Sequence, residues 1–395
     1  MEATMYKIQT LNKISPKGLE LFPRDAYEIA SEILNPDAIL VRSAKMHDME
    51  LPESVKAIAR AGAGVNNIPL DKCTDRGIVV FNTPGANANG VKELTLTALF
   101  LASRKLADGI VWAKGLVGKG EEVPKLVEKG KSQFAGPEIA GKTLGLIGLG
   151  AIGVMVANAA DALGMNVVGY DPFISVEAAW GLSQNVRRAV GLESLLAEAD
   201  YISIHAPLND KTKGMINRDR FSLMKKGVRI VNLARSGLVN NEDLIAALAD
   251  DTVACYVTDF PDEELLKNEN VIGLPHLGAS TPESEDNCAT MAVQQIRNFI
   301  ERGNIRNGVN FPDCEMAPSA DTRLIIANKN IPGMVGQITA TLAEKNINIS
   351  DMINKHKGDA AYNIIDIDGA VDDMQIAAIK KINGVIMVRT IDTSN

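Results

Sequence analysis

The chain holds only four histidines, His47, His205, His276 and His356, which narrows the search for a group able to trade protons near neutral pH. His276 stands in Leu274-Pro275-His276-Leu277-Gly278-Ala279-Ser280-Thr281, a loop that follows an apolar run. His205 stands in Ser203-Ile204-His205-Ala206-Pro207-Leu208, at the end of another. A carboxylate can orient a histidine and favour its protonated form. Acids precede His276 in Asp259-Phe260-Pro261-Asp262-Glu263-Glu264, and most of them are expected to face water. Arg235, in Asn232-Leu233-Ala234-Arg235-Ser236-Gly237, follows the strand-like Arg229-Ile230-Val231. A guanidinium there can bind a carboxylate and polarise a neighbouring carbonyl. A histidine, an acid and an arginine are the groups that proton transfer on a carbonyl substrate requires.

The elements that must carry these residues centre on Gly148-Leu149-Gly150-Ala151-Ile152-Gly153. An apolar run, Thr143 to Ile147, precedes it, and a small-residue helical pattern, Val154 to Leu163, follows. The next apolar run, Val167-Val168-Gly169-Tyr170, ends on Asp171. Strand, glycines, helix and an acid at the tip of the next strand make a dinucleotide-binding unit. The glycines let the backbone approach a pyrophosphate that sits on the helix N-terminus. Asp171 accepts hydrogen bonds from a ribose diol and repels a 2′-phosphate, so NAD is the expected cofactor. Strands lead to histidines at 205 and 276, and strand ends in such a sheet line the ligand crevice.

At 395 residues, two or three domains are expected. A net charge of −8 argues against nucleic acid as a partner. No apolar run is long enough to span a bilayer, and no signal-peptide pattern opens the chain. Cys73, Cys255, Cys288 and Cys314 are scattered, without a CxxC, so reduced thiols in a cytoplasmic protein are expected and no metal site. Strands and helices alternate from 143 to about 275, which reads as a parallel doubly wound sheet. The stretch 115–141 reads as a loop-rich connection, and 283–300 as a long helix. The last 75 residues change to strand–helix–strand–strand–helix–strand, a ferredoxin-like βαββαβ module.

Taken together, these motifs resemble the D-2-hydroxyacid dehydrogenases over essentially the whole chain. The resemblance is carried by Val41-Arg42-Ser43, Arg60-Ala61-Gly62-Ala63-Gly64-Val65-Asn66-Asn67, Gly148 to Gly153, Asn232 to Arg235 and Pro275 to Thr281. It implies an α/β architecture: a Rossmann-type NAD domain, residues 94–282, inserted in a flavodoxin-like substrate domain of residues 1–93 and 283–312. A linker, 313–320, then joins an ACT-type regulatory module, 321–395. The family's catalytic arginine falls on Arg235 and its histidine on His276. Its glutamate falls on Glu264 by spacing from Asp259, or on Glu263 by spacing from Phe260. The usual proline after it is Leu265 here. Cofactor contacts are implied at Ala63, at Gly148, Gly150, Ala151, Ile152 and Gly153, and at Asp171. Further ones are implied at His205, Ala206 and Pro207, at Leu233, Ala234 and Arg235, and at Asp259, His276, Gly278 and Ala279. Substrate contacts are implied at Arg42, Ser43, Arg60, Gly62, Ala63, Gly64 and Asn66, beside Arg235 and His276.

The implied reaction is NAD-dependent oxidation of 3-phosphoglycerate by a homo-oligomer, a dimer or tetramer. Lys114, Lys119, Lys125, Lys129 and Lys131 offer further cations for a phosphate. The ACT resemblance implies an L-serine effector at Asn330 and Asn348, with Asn328 where relatives carry a histidine. Rival readings are another D-2-hydroxyacid, such as 2-hydroxyglutarate or glycerate, and an NAD-sensing protein without chemistry.

Overall fold

The computed structural model describes residues 5–393; the outermost residues of the first and last expected domains lie outside that range. The chain forms two compact units, one of residues up to Asn87 together with those from Glu285 on, the other Ala88–Ser284.

The first unit opens with five strands, β1 (Tyr6–Leu11), β2 (Tyr27–Ala30), β3 (Ala38–Val41), β4 (Ala57–Arg60) and β5 (Val79–Phe81). They pair in parallel, in the order β2-β1-β3-β4-β5, which is the flavodoxin-like order. Every residue of β3 is buried. An unbroken apolar run is what a parallel strand covered on both faces needs. The long helix Pro282–Arg302 gives Ala289, Ala292, Val293, Ile296 and Phe299 to this unit's core.

The second unit holds the helix Ala88–Ser103 and seven parallel strands. These are β6 (Thr143–Ile147), β7 (Asn166–Tyr170), β8 (Arg187–Arg188), β9 (Tyr201–Ile204), β10 (Val228–Asn232), β11 (Val253–Thr258) and β12 (Val271–Gly273). Their order is β12-β11-β10-β9-β6-β7-β8. The order reverses between β6 and β9, and sheets of this kind take their ligands at such a point, outside the carboxyl ends of the strands. The stretch 115–141, expected as loop, contains a helix, Val123–Gly130, flanked by two single turns. Its apolar face is only Val123, Leu126 and Val127, the three- and four-residue spacing of a single turn, and the surrounding Gly and Lys residues mask so short a pattern.

The tail, which belongs to the first unit, adds β13 (Thr322–Lys329), β14 (Ile349–Lys357), β15 (Ala360–Ile367) and β16 (Val385–Asp392). With helices Met334–Ala343 and Asp373–Lys380 this is βαββαβ, and the sheet is antiparallel in the order β14-β15-β13-β16. The first helix starts at Met334, just after Gly333, which adopts a left-handed φ of 83°.

Both faces of this sheet are covered. Leu324, Ile326, Ile365 and Ile367 pack under the tail's own helices with Ile338, Leu342 and Ile379. Ile325, Ala327, Tyr362 and Ile364 pack with Phe299, Ile300, Phe311 and Cys314. The expected linker is therefore held in place: Cys314 is fully buried and bridges Ile305. Arg323 and Asp366, both fully buried, form a two-pronged ion pair at 2.7 and 2.9 Å. Arg323 also donates to the carbonyls of Arg302 and Met316, and the Tyr362 hydroxyl donates to that of Gly303.

Candidate active site

The glycine turn leaves β6 at Gly148, whose φ is +95°. A Cβ on Gly148 would lie 2.7 Å from the His205 carbonyl oxygen, and one on Gly153 would collide with the carbonyl oxygen of Gly148. Both positions therefore exclude a side chain. A Cβ on Gly150 would meet nothing within 4 Å. Gly150 is the N-cap of the helix Ala151–Ala162, and no side chain caps that terminus. Backbone N–H groups without a side-chain cap, at the positive end of a three-turn helix, suit a pyrophosphate.

Asp171 stands one residue past β7. One carboxylate oxygen accepts from Leu149 N–H, inside the glycine turn, and the other from Phe173 N–H, each at 2.8 Å. The acid thus braces the turn from the tip of β7. His205 follows β9, donates its backbone N–H to the Ile147 carbonyl and shares its Nε2 with the Ser203 hydroxyl at 2.9 Å. Desolvation pulls its pKa down to about 4, so it is neutral at pH 7 and forms a wall rather than a proton carrier. Ala206 and Pro207 continue along the same strand end.

Arg235 sits on the turn after β10. The amide of Asn232, 1% exposed, donates to the Arg235 carbonyl and accepts from Ala234 N–H, so it sets the shape of the turn that carries the guanidinium. Sequence reasoning passed over Asn232, although an asparagine ending an apolar strand before a turn is a standard signal for such a brace. Arg235 itself donates to the Ala234 carbonyl at 2.7 Å.

His276 lies exposed on the loop after β12. Its ring packs 4.5 Å from the ring of Phe260, which follows β11. Leu274 N–H donates to the Thr258 carbonyl at 2.8 Å, tying the two loops together. Gly278 lies close to Val91 of the helix Ala88–Ser103, and Gly90 has room for no side chain because the Gly278 carbonyl is 2.8 Å from where its Cβ would be. Asp259 is buried beside these groups. Burial pushes its pKa up, against the pull of His276 and Arg235. Glu263 and Glu264 open the short helix Glu263–Leu266 and both meet Lys267.

The other expected contacts belong to the first unit. Arg42 follows β3 and pairs with Glu285 at 2.8 Å. Ser43 N–H is held by the Asn12 side chain. Arg60 ends β4; its Nε donates to the Arg42 carbonyl and a terminal nitrogen to that of Gly64. Its guanidinium thus pins the turn Gly62-Ala63-Gly64. The Ala63 carbonyl accepts from Asn82, and that of Asn66 meets His47. In the tail, Asn328 and Asn330 line a small cavity of about 210 Å³ with Gly333, Asn354 and Ala361. Asn348 does not line it and donates to Asp368. All four cysteines are buried and unpaired.

Residues 102–278 match the family described as D-isomer specific 2-hydroxyacid dehydrogenase, NAD binding domain. A D-3-phosphoglycerate dehydrogenase of Methanocaldococcus jannaschii is 33% identical over 379 residues, which is 92% of this chain and 68% of that protein. The chain belongs to the D-2-hydroxyacid dehydrogenases. A D-3-phosphoglycerate dehydrogenase of Archaeoglobus fulgidus is 37% identical over 73% of this chain, and there the match spans only 54% of the relative's own length. Among solved structures, an NAD+-bound 3-phosphoglycerate dehydrogenase of Entamoeba histolytica covers 78% of this chain and 99% of its own, with a TM-score of 0.60 and 28% identity. As a D-2-hydroxyacid dehydrogenase the chain takes NAD as its cofactor. The uncapped helix end behind Gly150 and the acid at Asp171 fit that group. Among the described residues no helix is long and apolar enough to cross a membrane.

Proposed function

We propose that this dehydrogenase oxidises D-3-phosphoglycerate at C2 to 3-phosphohydroxypyruvate, the step that commits a glycolytic acid to L-serine. The observation that carries the reading is that His276 and Arg235, a base and a guanidinium, stand on the loops after β12 and β10, each beside Asp259, in a sheet whose first turn suits a dinucleotide. Bound NAD supplies the hydride acceptor. His276 takes the C2 hydroxyl proton, and the imidazolium that results needs a carboxylate nearby. Arg235 binds the substrate carboxylate and polarises the C2 oxygen as it becomes a carbonyl. In the first unit, Arg42 is paired with Glu285 and Arg60 holds the glycine turn Gly62-Ala63-Gly64 in shape.

Two further parts of the reading concern assembly and control. The helix Leu106–Lys114 buries no residue and leaves Ile110 and Val111 58% and 72% exposed, apolar surface that a second copy of the chain would cover. L-serine is proposed as an effector at the tail cavity, where Asn328 and Asn330 come together.

NADH formation with a panel of D-2-hydroxyacids, with and without L-serine, tests this function. The highest kcat/KM is expected with D-3-phosphoglycerate. A larger value with 2-hydroxyglutarate or glycerate would reassign the substrate, and no NADH with any of them would reject the enzyme reading.

A further inference from the structure

The turn Gly62-Ala63-Gly64 owes its shape largely to residues outside its own motif. The Gly62 carbonyl accepts from Thr83 N–H at 3.1 Å, the Ala63 carbonyl from the Asn82 side chain at 2.6 Å, and the Gly64 carbonyl from Arg60. Gly62 N–H turns back to the Arg60 carbonyl, and the N–H groups of Ala63 and Gly64 meet no acceptor among the described residues. Asn82 and Thr83 belong to the segment that follows β5, so the place of that segment decides how the turn is held.

Asn82 is itself gripped. Its carbonyl accepts from the Gln295 side chain at 2.9 Å. Gln295 stands on the helix Pro282–Arg302 and is 6% exposed, on the face that carries Ala292, Ile296 and Phe299 into the core. A methionine would fill such a place with no polar group to desolvate. The chain instead buries an amide whose oxygen has no hydrogen-bond partner among the described residues. A buried acceptor left unpaired costs stability, so stability does not account for a glutamine here. Its bond to Asn82 does. Asn82 is held at both ends, by the helix through its carbonyl and by the turn through its amide.

We propose that Gln295 is a positioning residue for the substrate turn. It acts through Asn82 on the Ala63 carbonyl, and so keeps the Ala63 and Gly64 N–H groups in place for an anionic group of the substrate. The turn binds and takes no part in bond breaking, so loosening it weakens ground state and transition state alike. The consequence for turnover rests on the dehydrogenase reading and on the turn meeting the substrate, while the hold itself is tested in the enzyme alone.

Gln295→Met in the full-length enzyme keeps the volume and removes the donor. It is expected to raise the KM for D-3-phosphoglycerate roughly fivefold, the worth of one hydrogen bond, with kcat within about twofold. The thermal midpoint is expected to hold or rise, because an unsatisfied amide is gone. Asn82→Ala is expected to raise KM further, since it frees the Ala63 carbonyl directly. Adding Gln295→Met to Asn82→Ala is expected to change KM no more, as two links of one line do not add. Exchange of the Thr83 amide hydrogen, followed by NMR without substrate, is expected to quicken in each variant. Unchanged KM and exchange in Gln295→Met would overturn the proposal, and Gln295→Leu gives the same readings should the methionine variant not fold. Single effects that multiply in the double variant would also overturn it, because Gln295 would then not act through Asn82. A lower thermal midpoint with KM in place would make Gln295 a core residue and nothing more. Quickened exchange with an unchanged KM would remove its role toward substrate. Failure of the unaltered enzyme with every acid of the panel would strike the function instead, and leave the hold that exchange reads by itself.

Discussion

At the scale of single residues, the site is built from groups that do two things at once. Asp171, which we propose repels a 2′-phosphate, also holds the glycine turn through Leu149 N–H. Removing it therefore has two effects that selectivity measurements alone would confuse. Asp171→Ala is expected to narrow the preference for NADH over NADPH, and also to weaken NADH itself roughly tenfold, since a hydrogen bond to a charged group is worth about 1.5–3 kcal/mol. Fluorescence titration with both cofactors measures each effect. NADH affinity unchanged in the variant would show that the brace contributes nothing. Arg60 has the same double character on the other unit. Its nitrogens given to the carbonyls of Arg42 and Gly64 are a reason for its type at the end of β4 that needs no phosphate.

At the scale of elements, the three motif glycines have separable reasons. Gly148 and Gly153 are required by the protein's own backbone, and Gly150 is not. Gly150→Ala is expected to leave the thermal midpoint nearly unchanged while weakening NADH binding tenfold or more, because the new methyl group would occupy space that the pyrophosphate needs. Gly153→Ala is expected to lower both. Calorimetry on the two variants decides this, and equal losses of stability would remove the ligand from the explanation of Gly150. The strand–glycine–helix–strand–acid spacing was legible because every link in it is local. The order of acids after β11 was not legible. Three consecutive acids score alike in sequence, and what separates them is the helix that starts at Glu263. A signal was available: Asp262 stands three residues before the buried Leu265, the spacing of a helix cap, and it accepts from Leu265 N–H at 2.9 Å. The first residues of such a short surface helix face water. The burial of Asp259 follows only from the pairing of β11 with its neighbours. In the tail, Leu324 to Ala327 is apolar at every position, where an antiparallel strand with one wet face would alternate. That run already implied a second covering layer, which the expectation of a linker at 313–320 obscured.

At the scale of the whole molecule, the tail is part of the body of the first unit. Its sheet completes a core that includes Phe299, Phe311 and Cys314, and the Arg323–Asp366 pair has no water to fall back on. Breaking a buried pair by removing one partner costs about 3–5 kcal/mol. Asp366→Asn is expected to destabilise the entire first unit by that order, seen as a lower midpoint in urea, with the second unit's transition unmoved. A loss confined to tail signals would show that the module unfolds alone. A chain ending near Pro318 would expose the apolar face that Tyr362 and Ile364 cover, so an effector at the tail has to be sought by substitution at Asn330 in the full chain.

The placement of residues 285–393 against residues 5–87 also fixes an order of events during synthesis. The first strands leave the ribosome with their core unfinished, and the second unit, contiguous from Ala88 to Ser284, emerges whole before they can close. At translation speeds of about 5–20 residues per second, β1 to β5 wait on the order of 15–60 s for Phe299, Ile325 and Tyr362. Through that interval Ile39, Val41 and Ile58 can pack on Met46, Leu51, Val55 and Ile68, while Ala38, Leu40, Ala57 and Ala59 form a face without its cover, the kind of surface that holding chaperones bind. Segments made after the second unit are the ones that end the vulnerability of β1 to β5.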